Sequence, residues 1–293
     1  MDATIYFGKI YIIEWLDPED AKTGRELREM LEDLLPALAP KVKLAFKRVK
    51  TREESLGYLR SIKDDFRATR LLPLLHVETH GNLYGIGPEG QEPLPWEEFV
   101  PELTALNQLT QLRLFFVLAA CEGIWAMKML QPTDRAAFLA LLGPNDKISA
   151  GKLADAMSVF YRTMFEKSSG GAAFKAINDS INPDKPTFSM VNAEMLFKMI
   201  WQGFLQDRTS PDELDNRVQQ IVIQNMIAFR EEHGFPIPAD VLEEVRRRVR
   251  RHVEAHEEHF AEFREHYFFI DKFADNDKRF PITFADLQQD GPP

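Results

Sequence analysis

Cys121 is the only thiol in the chain, and it stands just past a β-forming run, Leu114 to Leu118, and two alanines in "LRLFFVLAACEG". His80 closes an earlier apolar run, "LLPLLHVETHG". A thiol attacks a peptide carbonyl only as the thiolate, so it needs a base or an electropositive setting. Imidazole can take the thiol proton and later pass it to a leaving amine. Gly81 follows the histidine; it lets the backbone come close to a substrate and could turn its N–H toward a developing oxyanion. Gly123, two residues past the thiol, eases a sharp turn from strand to loop. The plainer reading of Cys121 is a buried, inert thiol, a common fate of free cysteine. The two readings part on whether the two strand ends lie side by side, which no local pattern decides.

The elements that would position these residues alternate. Up to about residue 165, short β-like runs ("TIYFGKIYIIEWL", "KVKLAFKRV", "LLPLLHVETHG", "LRLFFVLAAC", "AAFLALLG") exchange with helical patterns ("KTGRELREMLEDLLPAL", "REESLGYLRSIKDDF", "WEEFVPELTALNQL", "SAGKLADAMSVFYRTMFEK"). Pro73 marks the start of its strand rather than its middle. This alternation predicts an α/β fold, a mostly parallel sheet with helices on both faces. Ligands and chemistry in such folds gather beyond the carboxyl ends of the strands, and both His80 and Cys121 fall at such ends.

From about Pro186 the grammar turns helical. "FSMVNAEMLFKMIWQGFLQ" is apolar nearly all round and predicts a buried helix. "SPDELDNRVQQIVIQNMIAFREEHG" opens on Ser210 with Pro211 at the first position and closes on Gly234. One long segment then runs from "PADVLEEV" to "REHYFF", and "KRFPITFADLQQDGPP" predicts a short extended piece. A boundary at "NPDKP" divides the chain into residues 1–182 and 186–293.

The net charge of −10 argues against a general nucleic-acid binder, since phosphate affinity comes mainly from Lys and Arg. One cysteine permits no intramolecular disulfide, which fits a reducing cytoplasm. No run approaches the roughly 20 apolar residues of a membrane helix, and "MDATIYFGKIYIIEW" lacks the marks of a secretion signal. "GIGPEG" (Gly85 to Gly90) matches the dinucleotide fingerprint, but "QEPLPW" follows where a helix would have to open, so the glycines predict a hairpin turn. His252, His256, His259 and His266 recur along one helix face without the spacing or partner of a zinc helix, and no metal site is expected there. Arg247 and His252 form an R-x-x-x-x-H pattern similar to HEPN-type ribonucleases, and "RRRVRR" could contact RNA phosphate. Glu243, Glu244 and Glu254 lie four residues from Arg247, Arg248 and Arg250, which suits ordinary intrahelical pairs on a solvated face.

Taken together, "LLHVETHG" and "LFFVLAACEG" resemble the paired strand-end motifs of caspase-like cysteine peptidases, the clan CD group that includes metacaspases, legumains, separases and the bacterial CHAT-domain proteases. In that group one strand ends in His-Gly and the next in a cysteine with a glycine shortly after. "NLYGIGPEGQEPLPWEEFVPEL", a small hairpin leading into a helix, is similar to the CHAT arrangement, and "LLGPNDKISAGKLADAMSVFYRTMF" is similar to the family's following strand, loop and helix with an FY pair. The resemblance covers roughly residues 4–180. It implies His80 as base, Cys121 as nucleophile, and the Gly81 and Cys121 N–H groups as oxyanion hole. It also implies a protein substrate and a latent enzyme that a partner protein activates, in bacterial antiviral defence or programmed death; the expected setting is cytoplasmic, and thiolate, imidazole and backbone dipoles need no cofactor. The helical part would then regulate the peptidase or recruit that partner. The sequence departs from the group two residues before the thiol, where Ala119 replaces the glutamine of caspases or the acid of arginine-specific relatives. Glu122 and Asp146 could face a basic substrate group or simply be solvated. The rival expectation is a non-catalytic caspase-like scaffold, or an RNA-targeting effector acting through the C-terminal helices.

Overall fold

From its first strand the chain runs β1 (Lys9–Trp15), α1 (Thr23–Leu38), β2 (Lys43–Arg48), α2 (Arg52–Thr69) and β3 (Pro73–Thr79). Three short strands follow, β4 (Gly81–Asn82), β5 (Gly85–Ile86) and β6 (Leu94–Pro95), then α3 (Trp96–Leu109), β7 (Phe115–Ala119), β8 (Ala140–Pro144), α4 (Ala150–Lys167), α5 (Gly170–Ile181) and β9 (Phe188–Asn192). The structure, a computed structural model, describes residues 7–121, 133–182, 184–208 and 210–289. The six-stranded sheet has the order β2-β1-β3-β7-β8-β9, with β9 antiparallel to β8 and the other neighbours parallel. It is the α/β, mostly parallel sheet that the alternation predicts.

Helices cover both faces because the central strands are buried on both sides. β3 and β7 are buried at every position. Alternation sends Ile10, Ile12, Leu74, Phe115 and Val117 to one face, where Leu27, Leu31, Leu34 and Leu35 of α1 meet Leu153, Met157 and Phe160 of α4. On the opposite face α2 and α3 pack together, with the Phe99 and Phe116 rings 5.9 Å apart. Burying a large apolar side chain contributes about 1.5–3 kcal/mol, so these two layers hold the sheet flat against its helices.

The α1 side also carries polar groups in the dry interior. His76, Glu78 and Glu14 are fully buried. Glu14 and Glu78 are register partners on β1 and β3, beneath the start of α1. Thr23 Oγ1 donates to Glu78 (2.9 Å) and the Arg25 N–H to Glu14 (3.0 Å). These donors sit in the first turn of the helix, whose partial positive charge suits carboxylates. Gly24 makes room for them, since a Cβ would lie 3.1 Å from Glu14 Oε2 and 3.3 Å from Glu78 Cγ and would press on both side chains. His76 Nε2 meets Glu78 Oε1 at 2.8 Å, and its Nδ1 meets the Tyr161 hydroxyl at 2.9 Å. The carboxylate only accepts, so Nε2 donates to it and Tyr161 donates to Nδ1. Burial, and then the charge of Glu78, push the Tyr161 hydroxyl well above its ordinary value.

The junction that delivers β7 is strained and clamped. Gln111 and Leu112 both take left-handed backbone angles, φ 57° and 59°, at a cost of about 1–3 kcal/mol each. Asn107, fully buried, holds the turn: its Oδ1 accepts from the Leu114 N–H (3.1 Å), its Nδ2 donates to Ala136 O (2.7 Å), and its carbonyl accepts from the Leu112 N–H (2.9 Å).

The chain divides into two compact units, Met1–Leu130 with Arg135–Ala193 and Gln131–Asp134 with Glu194–Pro293. The division falls after Ala193, later than the expected 182–186, because Phe188–Asn192 pairs with β8 as a strand instead of opening a helix. Asn178 fixes this strand: its Oδ1 accepts the Thr187 and Phe188 N–H groups, each at 2.8 Å. The second unit holds α6 (Ala193–Arg208), α7 (Pro211–His233), α8 (Ala239–Glu254), α9 (His256–Tyr267), α10 (Asp275–Arg279) and α11 (Phe284–Gln289). Phe197, Trp201, Phe260, Tyr267 and Phe268 form its aromatic centre. Ser210 caps α7, and left-handed Gly234 ends it, as their residue types dictate. Two expectations are corrected here: the long C-terminal helix is broken at Ala255 into α8 and α9, and the expected extended close contains α11. No described helix is long and apolar enough to cross a membrane.

Replacing Asn107 with alanine leaves the Leu114 N–H buried without a partner. Its unfolding free energy should fall by about 2–3 kcal/mol, read from urea denaturation against the parent chain.

Candidate active site

β3 and β7 pair in parallel, with Leu74 opposite Phe115 and Glu78 opposite Ala119. Two residues beyond that last pair come His80 and Cys121, at the same register. Register partners in parallel strands face the same side of a sheet. Leu74, His76 and Glu78 alternate toward α1 and α4, and His80 and Cys121 continue that series. The chain ends stay together past the ladder: a Cβ on Gly81 would lie 2.9 Å from Cys121 O and 3.2 Å from Ala120 Cβ. Only a glycine lets the two backbones approach this closely.

Gly81 begins the small sheet. Its neighbour His80 accepts from the Gly87 N–H at 3.0 Å, so the next pair, Gly81 with Ile86, is a non-hydrogen-bonded one. The Gly81 N–H therefore points away from β5. The hairpin is held by Asn82, whose Oδ1 accepts the Tyr84 N–H (2.8 Å) and whose carbonyl accepts from Trp96 Nε1 (3.2 Å). "GIGPEG" serves this turn, as expected: Gly85 and Ile86 form β5, while Gly87 and Gly90 take φ 152° and 78°.

Among the described residues, each candidate side chain meets one polar partner. His80 Nε2 lies 3.0 Å from Asp20 Oδ2. Asp20 comes from the β1–α1 loop, so the contact spans the β1/β3 gap, where the chain's crossovers change direction and α/β sheets open a crevice. The Cys121 thiol, part-buried, donates to Ile148 O at 3.9 Å, across to the β8–α4 loop. Four strand ends thus contribute to one place. The sequence reading missed Asp20 and Ile148; an acid in a strand-to-helix loop at the carboxyl edge was the available signal. Glu122 and Gly123 lie outside the described residues.

Burial alone would raise the Asp20 pKa, but the hydrogen bonds from His80 and the Asp17 N–H, with the charges of His80 and Lys22, outweigh it and hold the carboxyl below the ordinary value. Asp146 is exposed and pairs with Lys185 at 3.3 Å. On α8, Arg250 pairs with Glu254 as expected, whereas Glu244 takes Arg247 and Arg251 in place of Arg248. The His252 and His259 rings meet at 5.0 Å. Burial, and then the charge of His252, lower the His259 pKa. No group of His, Cys, Asp and Glu among the described residues could hold a metal ion.

No family model matches the sequence, and no curated protein matches it.

A depressed folded-state pKa means that the contacts of Asp20 stabilise the fold above the ordinary carboxylate value and are lost as pH falls through the depressed one. The side chain is 31% exposed, so solvent screening keeps the effect under about 1 kcal/mol. Asp20→Asn should lower stability slightly at pH 7, and the difference should shrink as pH falls through the acid range, measured by urea denaturation at several pH values.

Proposed function

We propose that the protein is a caspase-like cysteine endopeptidase that hydrolyses protein substrates through Cys121 and His80. The observation that carries this reading is the shared register: the lone thiol and the histidine end adjacent parallel strands on one side of the sheet. A glycine keeps the two chain ends in contact.

In the reaction, Nδ1 of His80 takes the Sγ proton as sulfur bonds to the scissile carbonyl carbon. The C=O electron pair moves onto oxygen, which accepts from the Gly81 and Cys121 N–H groups. Collapse re-forms the C=O, the C–N bond breaks, and the imidazolium gives its proton to the leaving amine. Water then passes a proton to His80 and attacks the thioester; the C–S bond breaks and the returning proton restores the thiol. Thiolate, imidazole and backbone dipoles suffice for this acyl transfer.

The thiol's bond to Ile148 O marks a resting arrangement, since catalytic hydrogen bonds often form only with substrate bound. A bond this long exchanges readily, so the resting thiol still meets His80, and latency relieved by a protein partner is what the resemblance implies. The purified chain alone should then digest casein slowly or not at all; full-rate cleavage without any partner contradicts latency.

The same bond is the observation that favours the rival reading, a scaffold with an inert thiol. A single cysteine separates the two, because every alkylation event occurs at Cys121. With iodoacetamide at pH 7, His80→Ala should slow labelling at least about tenfold, since an unassisted thiol is only a few per cent ionised there. An unchanged rate would leave the scaffold in possession.

A further inference from the structure

We infer that Asp20 is a positioning residue for His80, held in place by a strap formed from residues 17–22, so that the reactive group is a Cys121–His80–Asp20 relay rather than a pair. This inference rests on the peptidase reading and adds the group that fixes the base.

The geometry is built from several directions. Asp20 Oδ2 meets His80 Nε2 at 3.0 Å and also accepts the Asp17 N–H at 2.9 Å. That second bond fixes the carboxylate without help from the histidine. Lys22 Nζ donates to Asp17 O and to Asp20 O, both at 2.6 Å, closing the loop's backbone around one ammonium. From the other side Gln91 Nε2 donates to Asp17 Oδ1 at 3.0 Å. The histidine's own backbone is tied by the Gly87 N–H. Base and acid are therefore each anchored separately and meet through a single hydrogen bond.

The chemistry follows from what each atom can do. An ionised carboxylate only accepts, so the proton of a neutral His80 sits on Nε2 and Nδ1 keeps its lone pair. Nδ1 is then the nitrogen available for the thiol proton. When it takes that proton, the Asp20 charge lies against the opposite edge of the imidazolium and stabilises it. The depressed pKa of Asp20 keeps it ionised across neutral pH. His80 and Asp20 are each about one third exposed, 33% and 31%. Water would otherwise compete for Nε2 and let the ring rotate, and the strap restrains it.

The test has two readouts, on protein whose folding is checked by its melting curve. The first is the proton NMR signal of the His80 Nε2–H, identified by its disappearance in His80→Ala. A hydrogen bond to a fixed acceptor shifts it downfield and slows its exchange with water. It should be visible in the parent chain, lost in Asp20→Ala, and retained in Asp20→Asn, which keeps an acceptor oxygen. The second is the rate of Cys121 alkylation by iodoacetamide at pH 7. It should fall about tenfold in Asp20→Ala, with Asp20→Asn intermediate because it orients the ring without supplying charge. A retained signal and an unchanged rate in Asp20→Ala overturn the proposal. If His80→Ala slows alkylation while Asp20→Ala does not, Asp20 has no positioning role and the Cys–His reading stands. If His80→Ala leaves the rate unchanged, the peptidase reading falls; the relay falls with it, even where the NMR signal reports the Asp20–His80 bond.

Discussion

The parallel pairing of β3 with β7 is the constraint on which the rest depends. Both strands are buried on both faces, so a slip of one residue would turn His76 and Glu78 out of their hydrogen-bonded niche and drive Leu75 and Val77 into it. A buried carboxylate without partners costs several kcal/mol, which makes the native register far more stable than its neighbours. His80 and Cys121 inherit that precision although neither lies in the ladder. The polar interior of the sheet and the meeting of the two strand ends are thus one arrangement.

Helix α1 ties the same arrangement to the third strand. Its first turn donates to both buried glutamates, so the start of α1 is pinned to β1 and β3 together. The loop leading into that turn carries Asp20. A loop stretched between a strand end and a pinned helix start has little freedom left, and the Lys22 ammonium removes much of the remainder. The clamp around Asn107 does the corresponding work on the far side, where strained Gln111 and Leu112 lead into β7.

Much of this was legible in the sequence, for local reasons. β3 begins at Pro73 because proline suits a strand start, and α3 spans Trp96–Leu109 with Pro101 early enough to be tolerated. The Gly85–Gly90 motif was correctly assigned to a turn because prolines follow it. β9 was not legible: "FSMVN" is four apolar or small residues and one asparagine joined to an apolar helix with no glycine or proline between, and only its pairing with β8 makes it a strand. The break at Ala255 lacks a glycine or proline to announce it. Asp20 could not be found by spacing, since its proximity to His80 comes from strand order. The His80–Cys121 adjacency was expected from the motifs, but the register that produces it exists only in three dimensions.

The two ends of the sheet differ in a way that governs how it could grow. β2, the outermost strand on one side, displays Lys43 and Lys47 to solvent. Any incoming strand would have to strip water from those ammonium groups, and lysines on an edge are a common guard against such templating. β9, at the other end, has no charged side chain in "FSMVN". Edge-to-edge extension is therefore directional: electrostatics closes it at β2 and sets no such barrier at β9.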